Sequence, residues 1–227
     1  SGADARLRFF NPDGGEAGAC GNATRCAGRL LMLEQDRHEL VLETRGGRLS
    51  ARRRPDGLVT VEMAIPKLAW DEIPLAVPCD TTAVPIDVAG LPRPVAVNMG
   101  NPHAVFFVPD MGAVDIARLG PELERHPIFP ERANIGFAQA LDASTIRLRV
   151  FERGAGLTLA CGSGACAAMV AARRKGLVGD RATLLLDGGP LAIEWDGAGP
   201  VAMTGPAAFV FSGKLAPELL APERRMG

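Results

Sequence analysis

The sequence predicts an α+β protein of two similar, pseudo-symmetric domains, each a mostly antiparallel sheet around a central helix. Three observations carry this. AGACGNATRC (17–26) and LTLACGSGAC (157–166) repeat an Ala-Cys-Gly step, with Cys20 and Cys161 141 positions apart. The same order of patterns surrounds both copies: strand, turn, Cys-Gly helix, further strands. Between the copies, a proline-dense stretch begins near Ala64 and runs to Pro94, which reads as a crossover. The expected division is 1–65 with 207–227 as the N-terminal domain and 66–206 as the C-terminal domain.

The first half opens with ARLRFF (5–10), whose Leu7 and Phe9 alternate with arginines as in a half-buried strand. Asn11-Pro12-Asp13-Gly14-Gly15 is a dense turn signal. From Cys20 onward Ala23, Ala27, Leu30 and Leu31 recur at helical spacing. Strands follow at Glu39–Thr44, Arg48–Arg53 and Leu58–Met63, separated by RGGR and RPDG. The Arg52-Arg53-Arg54 run reads as a solvated strand end, because no aromatic residues accompany it as they would in a nucleic-acid binder.

The second half predicts strands at Pro94–Asn98, Ala104–Val108, Asn134–Leu141 and Thr145–Glu152, then a helix from Gly162 to about Lys175. Arg173-Arg174-Lys175 suits the negative end of that helix, and Gly176 is a natural stop. Strands at Ala182–Leu186, Leu191–Trp195 and Ala208–Phe211 complete the reading.

Composition bounds the function. With 227 residues, 47% hydrophobic and 22% charged, a sizeable core is available. A net charge of −1 gives no global pull toward nucleic acid or an anionic membrane. No apolar run reaches the ~20 residues of a membrane span, and no signal peptide is read. Five cysteines, an odd number in a chain too large to need disulfide staples, point to reduced thiols and a cytoplasmic setting. The opening Ser1-Gly2-Ala3-Asp4 runs straight into a strand without an initiator Met, as expected of a fragment or of a chain shown without its natural N-terminus.

The cysteines admit several chemistries. Structural zinc wants closer spacing than C-x5-C and C-x4-C, and His38, His103 and His126 show no ligand pattern, so no metal is expected. A Cys-x-x-Cys redox motif is absent. Cys26, Cys166 and Cys79 read as structural or incidental, the first two inside their helices. Cys20 and Cys161 each stand at a predicted helix N-terminus, where unpaired N–H groups and the dipole lower a thiol pKa and can hold a carboxylate. Two opposed thiols can invert a carbon centre, one removing a proton and the other returning one. Two helix ends could stabilise the intermediate carbanion without a cofactor.

FFNPDGGEAGACGNATRC (9–26), MGNPHAVFF (99–107), PERANIGF (130–137) and ERGAGLTLACGSGACA (152–167) together resemble the diaminopimelate epimerase family. The resemblance spans most of the chain and implies two similar α+β domains with the site between them. It also implies a homodimer, and conversion of LL- to meso-diaminopimelate in bacterial lysine and peptidoglycan precursor synthesis, without pyridoxal phosphate or metal. By position, Cys20 and Cys161 match the catalytic thiols, and Gly21, Asn22, Gly162 and Ser163 match the helix ends that grip the reacting carboxylate. Asn11, Asn101, Asn134 and Arg153 match residues that bind the substrate, mainly its distal end. Glu152 matches the residue near the reacting amino group, and His103 the histidine beside the thiols.

These residue types suit a substrate with two carboxylates and two ammonium groups: Arg for a bidentate grip, Asn as both donor and acceptor. Singly, each has a plainer reading. Asn11 could initiate its turn, His103 could be a core histidine, and Glu152-Arg153 could be a surface ion pair. The family's pattern also has a segment before the first strand, with a GNDF-type motif and a Gln, that is not seen ahead of Ala5, and Ala23-Thr24 replaces the commoner Gly-Ala. A proline or hydroxyproline racemase of the same two-thiol kind is the alternative enzyme, though it typically has His where this chain has Asn22. A non-catalytic thiol or metal-binding protein is the alternative of a different class.

Overall fold

The computed structural model describes residues 2–10, 14–17 and 20–217. Its first half runs β1 (Ala5–Arg6), β2 (Phe9–Phe10), β3 (Glu16–Ala17), α1 (Gly21–Glu34), β4 (Glu39–Thr44), β5 (Gly47–Arg53) and β6 (Val59–Glu62). Five elements then lead into the second half: β7 (Val95–Asn98), β8 (Pro102–Phe107), a 3-10 turn (Met111–Ala113), α2 (Ile116–Glu124) and β9 (Asn134–Asp142). The second copy of the repeat follows as β10 (Thr145–Glu152), β11 (Gly156–Thr158), α3 (Gly162–Arg174), β12 (Arg181–Leu186), β13 (Gly189–Glu194) and β14 (Ala202–Gly205).

The repeat holds at the level of register. β1 runs parallel to β4 with Ala5 opposite Leu42, and β10 runs parallel to β12 with Ile146 opposite Leu184. Phe9 pairs with Ala17 as Val150 pairs with Thr158. Glu39 faces Arg52 as Arg181 faces Glu194. The last strands of the two copies, β6 and β14, pair antiparallel and join both halves into one twelve-stranded sheet.

One predicted strand, 5–10, is broken. Its N-terminal part pairs with β4 and its C-terminal part with β3, with a gap at Leu7-Arg8. The equivalent β10 makes the same two pairings yet stays continuous, because β9 lies along its other side from Thr145 to Phe151.

α3 explains its own sequence. Ala165 through Ala172 are all buried, so Ala, Cys, Met and Val surround a helix enclosed by the sheet. α1 is different: it buries Gly21, Thr24, Arg25, Gly28 and Met32, but leaves Leu30 and Leu33 about half exposed. Cys166 is fully buried as expected, and this pushes its thiol pKa up to about 12. Cys26 corrects its expectation: it is exposed, since it lies on the face of α1 turned away from the sheet.

The proline-dense stretch is no solvated linker. Ile73, Leu75, Val84 and Ile86 are buried in a second core with Phe106 and Phe137, whose rings stack at 5.6 Å. Other departures from expectation have local reasons. α2 went unforeseen because Gly120 and Pro121 interrupt its pattern, and β14 because it is four residues long. The expected strand Ala208–Phe211 does not form among the described residues. Its aromatic and β-branched residues favour a strand, but no partner ladder meets them, and Phe209, Val210 and Phe211 are mostly exposed.

Candidate active site

Each central helix begins at a cysteine. Cys20 and Cys161 occupy the N-cap positions of α1 and α3 in extended backbone conformation, and Gly21 and Gly162 are the first helical residues. Both glycines are there for close approach. A Cβ on Gly21 would come within 2.8 Å of Met203 Cε, and one on Gly162 within 3.2 Å of Met203 Sδ. Met203, in β14 at the seam between the halves, therefore packs against both helix starts. A Cβ on Gly162 would also lie 3.6 Å from Asn22 Oδ1, and Asn22 Nδ2 donates a long 3.5 Å hydrogen bond to Ala160 O. The N-termini of the two helices thus converge, each carrying one thiol.

The two thiols differ sharply in setting. Cys20 is exposed and its side chain accepts no capping hydrogen bond; Thr24 holds its carbonyl through both N–H (2.8 Å) and Oγ1 (2.9 Å). Cys161 is buried, with Sγ accepting from Gly164 N–H at 3.4 Å and lying 3.6 Å from Ser163 Oγ. Burial, and then the neighbouring Glu152 carboxylate, drive its pKa far above the ordinary thiol range, outweighing Ser163 and the Gly164 N–H. For Cys161 this reverses the expectation that a helix N-terminus lowers the thiol pKa: desolvation wins over the helix end.

A second group gathers beside this one. The parallel register of β8 and β9 sets His103 opposite Asn134. Asn134 is buried and uses both ends of its amide: Nδ2 donates to Pro102 O at 3.0 Å, and Oδ1 accepts from Arg153 N–H at 3.0 Å. Arg153 Nη1 donates to Glu131 O at 2.8 Å. His103 Nε2 bonds Asn101 Oδ1 at 3.0 Å, and burial, with the Arg153 charge adding to it, lowers the imidazole pKa to about 3. The ring is therefore neutral at pH 7. Its polar contacts are with this group rather than with a thiol. Glu152 accepts from Thr158 Oγ1, and by chain adjacency to Arg153 it links the second group to Cys161.

The fold thus brings Cys161, Gly162, Ser163, Glu152, Arg153, Asn134, Asn101 and His103 together from the second half, and Cys20, Gly21 and Asn22 from the first. Asn11 lies outside the described residues. Sequence reasoning passed over two buried charges. Arg25 on α1 reaches Asn22, and Glu124 on α2 accepts from Gly154 N–H at 3.0 Å. A charged residue on the buried face of an amphipathic helix is the signal that could have found both. Among the described residues no cluster of three His, Cys, Asp or Glu side chains could hold a metal ion, and no helix is long and apolar enough to cross a membrane.

The diaminopimelate epimerase family profile matches residues 1–69 and 95–210. Diaminopimelate epimerase of Phenylobacterium zucineum is 56% identical over 218 residues, covering 94% of this chain and 79% of its own. That of Rhodospirillum centenum is 55% identical, covering 96% and 75%. Among solved structures, a probable proline racemase from Agrobacterium radiobacter aligns with a TM-score of 0.68 over 99% of this chain and 74% of its own. A hydroxyproline epimerase from Agrobacterium vitis aligns at 0.65 over 90% and 68%. Both are 19% identical, which speaks for the fold alone.

Proposed function

This chain belongs to the diaminopimelate epimerase family, and from that premise we propose that its two helix-capping thiols interconvert LL- and meso-diaminopimelate. The observation that carries the reading is the convergence of Cys20 and Cys161 at two helix N-termini packed around Met203. In this reading one cysteine, as thiolate, takes the α-proton from one face of the carbon. The other, as thiol, gives a proton to the opposite face, and the carbon is inverted with no net change in protons. The carbanion's charge spreads onto the adjacent carboxylate. The N–H groups at Gly21-Asn22 and Gly162-Ser163 stabilise it there, which is work a helix N-terminus can do without a cofactor.

The contrast between the thiols supports a division of labour in the free protein. Cys161, buried beside Glu152, holds its proton and is the acid, so Cys20 is the base for the first turnover. Glu152 receives the reacting ammonium. Asn101, Asn134 and Arg153, with Asn11, hold the distal amino-acid end, and neutral His103 orients Asn101. The 19%-identical proline racemase fold leaves the alternative enzyme open on fold alone, but a short proline-type substrate has no second charged end for Arg153 to meet.

The remaining expectations follow the same premise. The division near residue 65 is supported by the repeat, with β6 and β14 as the seam. The homodimer is carried by the family resemblance, and the neighbouring, partly exposed Leu30, Leu33 and Phe209 offer apolar surface to a second copy. A cytoplasmic setting without nucleic-acid or membrane partners is supported by free cysteines and a near-neutral charge.

The test is solvent exchange. The protein should wash deuterium into the α-position of diaminopimelate, and Cys20→Ala and Cys161→Ala should each abolish epimerisation. Near-normal turnover by either variant would sink the two-thiol assignment.

A further inference from the structure

Arg25 sits where local rules disfavour it. It lies in the second turn of α1, close to the positive end of the helix dipole, and it is only 7% exposed. Among the described residues no carboxylate pairs with it. Burial accordingly lowers its pKa from the ordinary arginine range. A buried, uncompensated guanidinium is costly, so its partners must account for it.

Those partners are specific. Nε donates to Pro206 O at 2.8 Å, and Nη1 donates to Asn22 Oδ1 at 3.0 Å. Gly205 lies alongside: a Cβ there would come within 2.6 Å of Leu191 Cδ2 and sit 3.4 Å from Arg25 Cζ and Nε. By accepting from Arg25, Asn22 Oδ1 is turned toward its own helix. The amide then has to aim its NH2 group across the seam at Ala160 O, the residue before Cys161. In the second copy the position equivalent to Arg25 is Cys166, a neutral, fully buried thiol. The repeat therefore breaks its symmetry at this point, placing a cation behind only one of the two helix ends.

We infer that Arg25 is a positioning residue for the epimerisation, acting through Asn22 to fix the α1 helix end against the segment that carries Cys161. The inference rests on the reading of Cys20, Asn22 and Cys161 as one site. It makes Asn22 part of a strut from Pro206 through Arg25 to Ala160, as well as part of the carboxylate grip. Lysine can replace arginine only in part here, because one ammonium lacks the planar fork that reaches both acceptors.

The experiment uses the full chain and the variants Arg25→Gln, Arg25→Lys and Asn22→Ala, together with the double variant that combines Arg25→Gln with Asn22→Ala, and has two readouts. In steady-state kinetics with diaminopimelate, Arg25→Gln and Asn22→Ala should each lower kcat by roughly 10–100-fold, with Arg25→Lys in between. KM should stay within about threefold, and the double variant should be no worse than the poorer single one. In the second readout, peptide-mapped iodoacetamide labelling, Arg25→Gln and Asn22→Ala should speed reaction at Cys161 equally, leaving Cys79 unchanged. Wild-type kcat and labelling in Arg25→Gln, or effects that multiply in the double variant, would overturn the inference. Should Arg25→Gln fail to fold, Arg25→Lys decides: near-normal kcat, or failure to fold as well, overturns it. If the unaltered protein turns over no diaminopimelate, the proposed function falls, while labelling of Cys161 still decides the role of Arg25.

Discussion

Thr60 Oγ1 and Thr204 Oγ1 lie 2.8 Å apart, both buried, on the register pair where the last strands of the two halves meet. Each hydroxyl is the other's partner, so a buried polar contact closes the seam. Replacing either threonine by valine orphans the other and should cost about 1–3 kcal/mol. Replacing both leaves nothing unsatisfied and should cost clearly less than the two single losses added together. Urea unfolding of the two single variants and the double one checks this.

Glu152 raises the Cys161 pKa, second only to burial. Glu152→Gln removes the charge and leaves the burial, so the thiol pKa should fall but stay above the ordinary thiol range. At pH 9 the Cys161 thiolate fraction, and with it the alkylation rate, should rise above that of the unaltered protein. An unchanged rate would mean that desolvation alone controls this thiol.

His103 makes stability depend on pH in a definite direction. Its imidazole has a reference pKa of 6.5 and titrates at about 3 in the fold, so below pH 6.5 the unfolded chain binds the proton first. The His103 contribution is therefore complete above about 6.5 and is lost as the pH falls toward 3. Between pH 6.5 and 5 the loss should approach about 2 kcal/mol. His103→Gln should flatten this part of the stability profile, whatever it does to stability at pH 7.

Gly120 lets α2 press against the strand that ends in the site. A Cβ there would come within 2.4 Å of the Phe151 ring, immediately before Glu152 and Arg153. Gly120→Ala should cost about 1–3 kcal/mol by overpacking. It should also raise KM for diaminopimelate, because Glu124 on the same helix holds Gly154 N–H. Adding Phe151→Leu should recover part of both losses. Full stability in Gly120→Ala would show that α2 is free to shift.

The repeat, both central helices and most strands were legible in the sequence. Hydrophobic spacing and turn residues are local signals, and those elements obey them. Glu39–Thr44 and Thr145–Glu152 are bounded in the structure as their patterns predict. Where local signals were weak or mixed, reading failed: α2 hides behind Gly120-Pro121, and β14 is too short to show a period. At Ala208–Phe211 the pattern was present, but a strand is a pairing, and no partner is described there.

By itself, then, the sequence determined the two Cys-Gly helix starts, the types of residue available to grip a doubly charged amino acid, and the family. Only the tertiary structure decided which thiol is dry and which is wet, since burial depends on everything packed around a group. It also decided that Cys161 keeps its proton against the pull of its own helix, and that Cys26 faces outward while its counterpart Ala167 is buried. The Arg25–Asn22 pair lies within one helix, but its reach to Ala160 and to Pro206 belongs to that second class, because those segments meet α1 only when the two halves close on their seam.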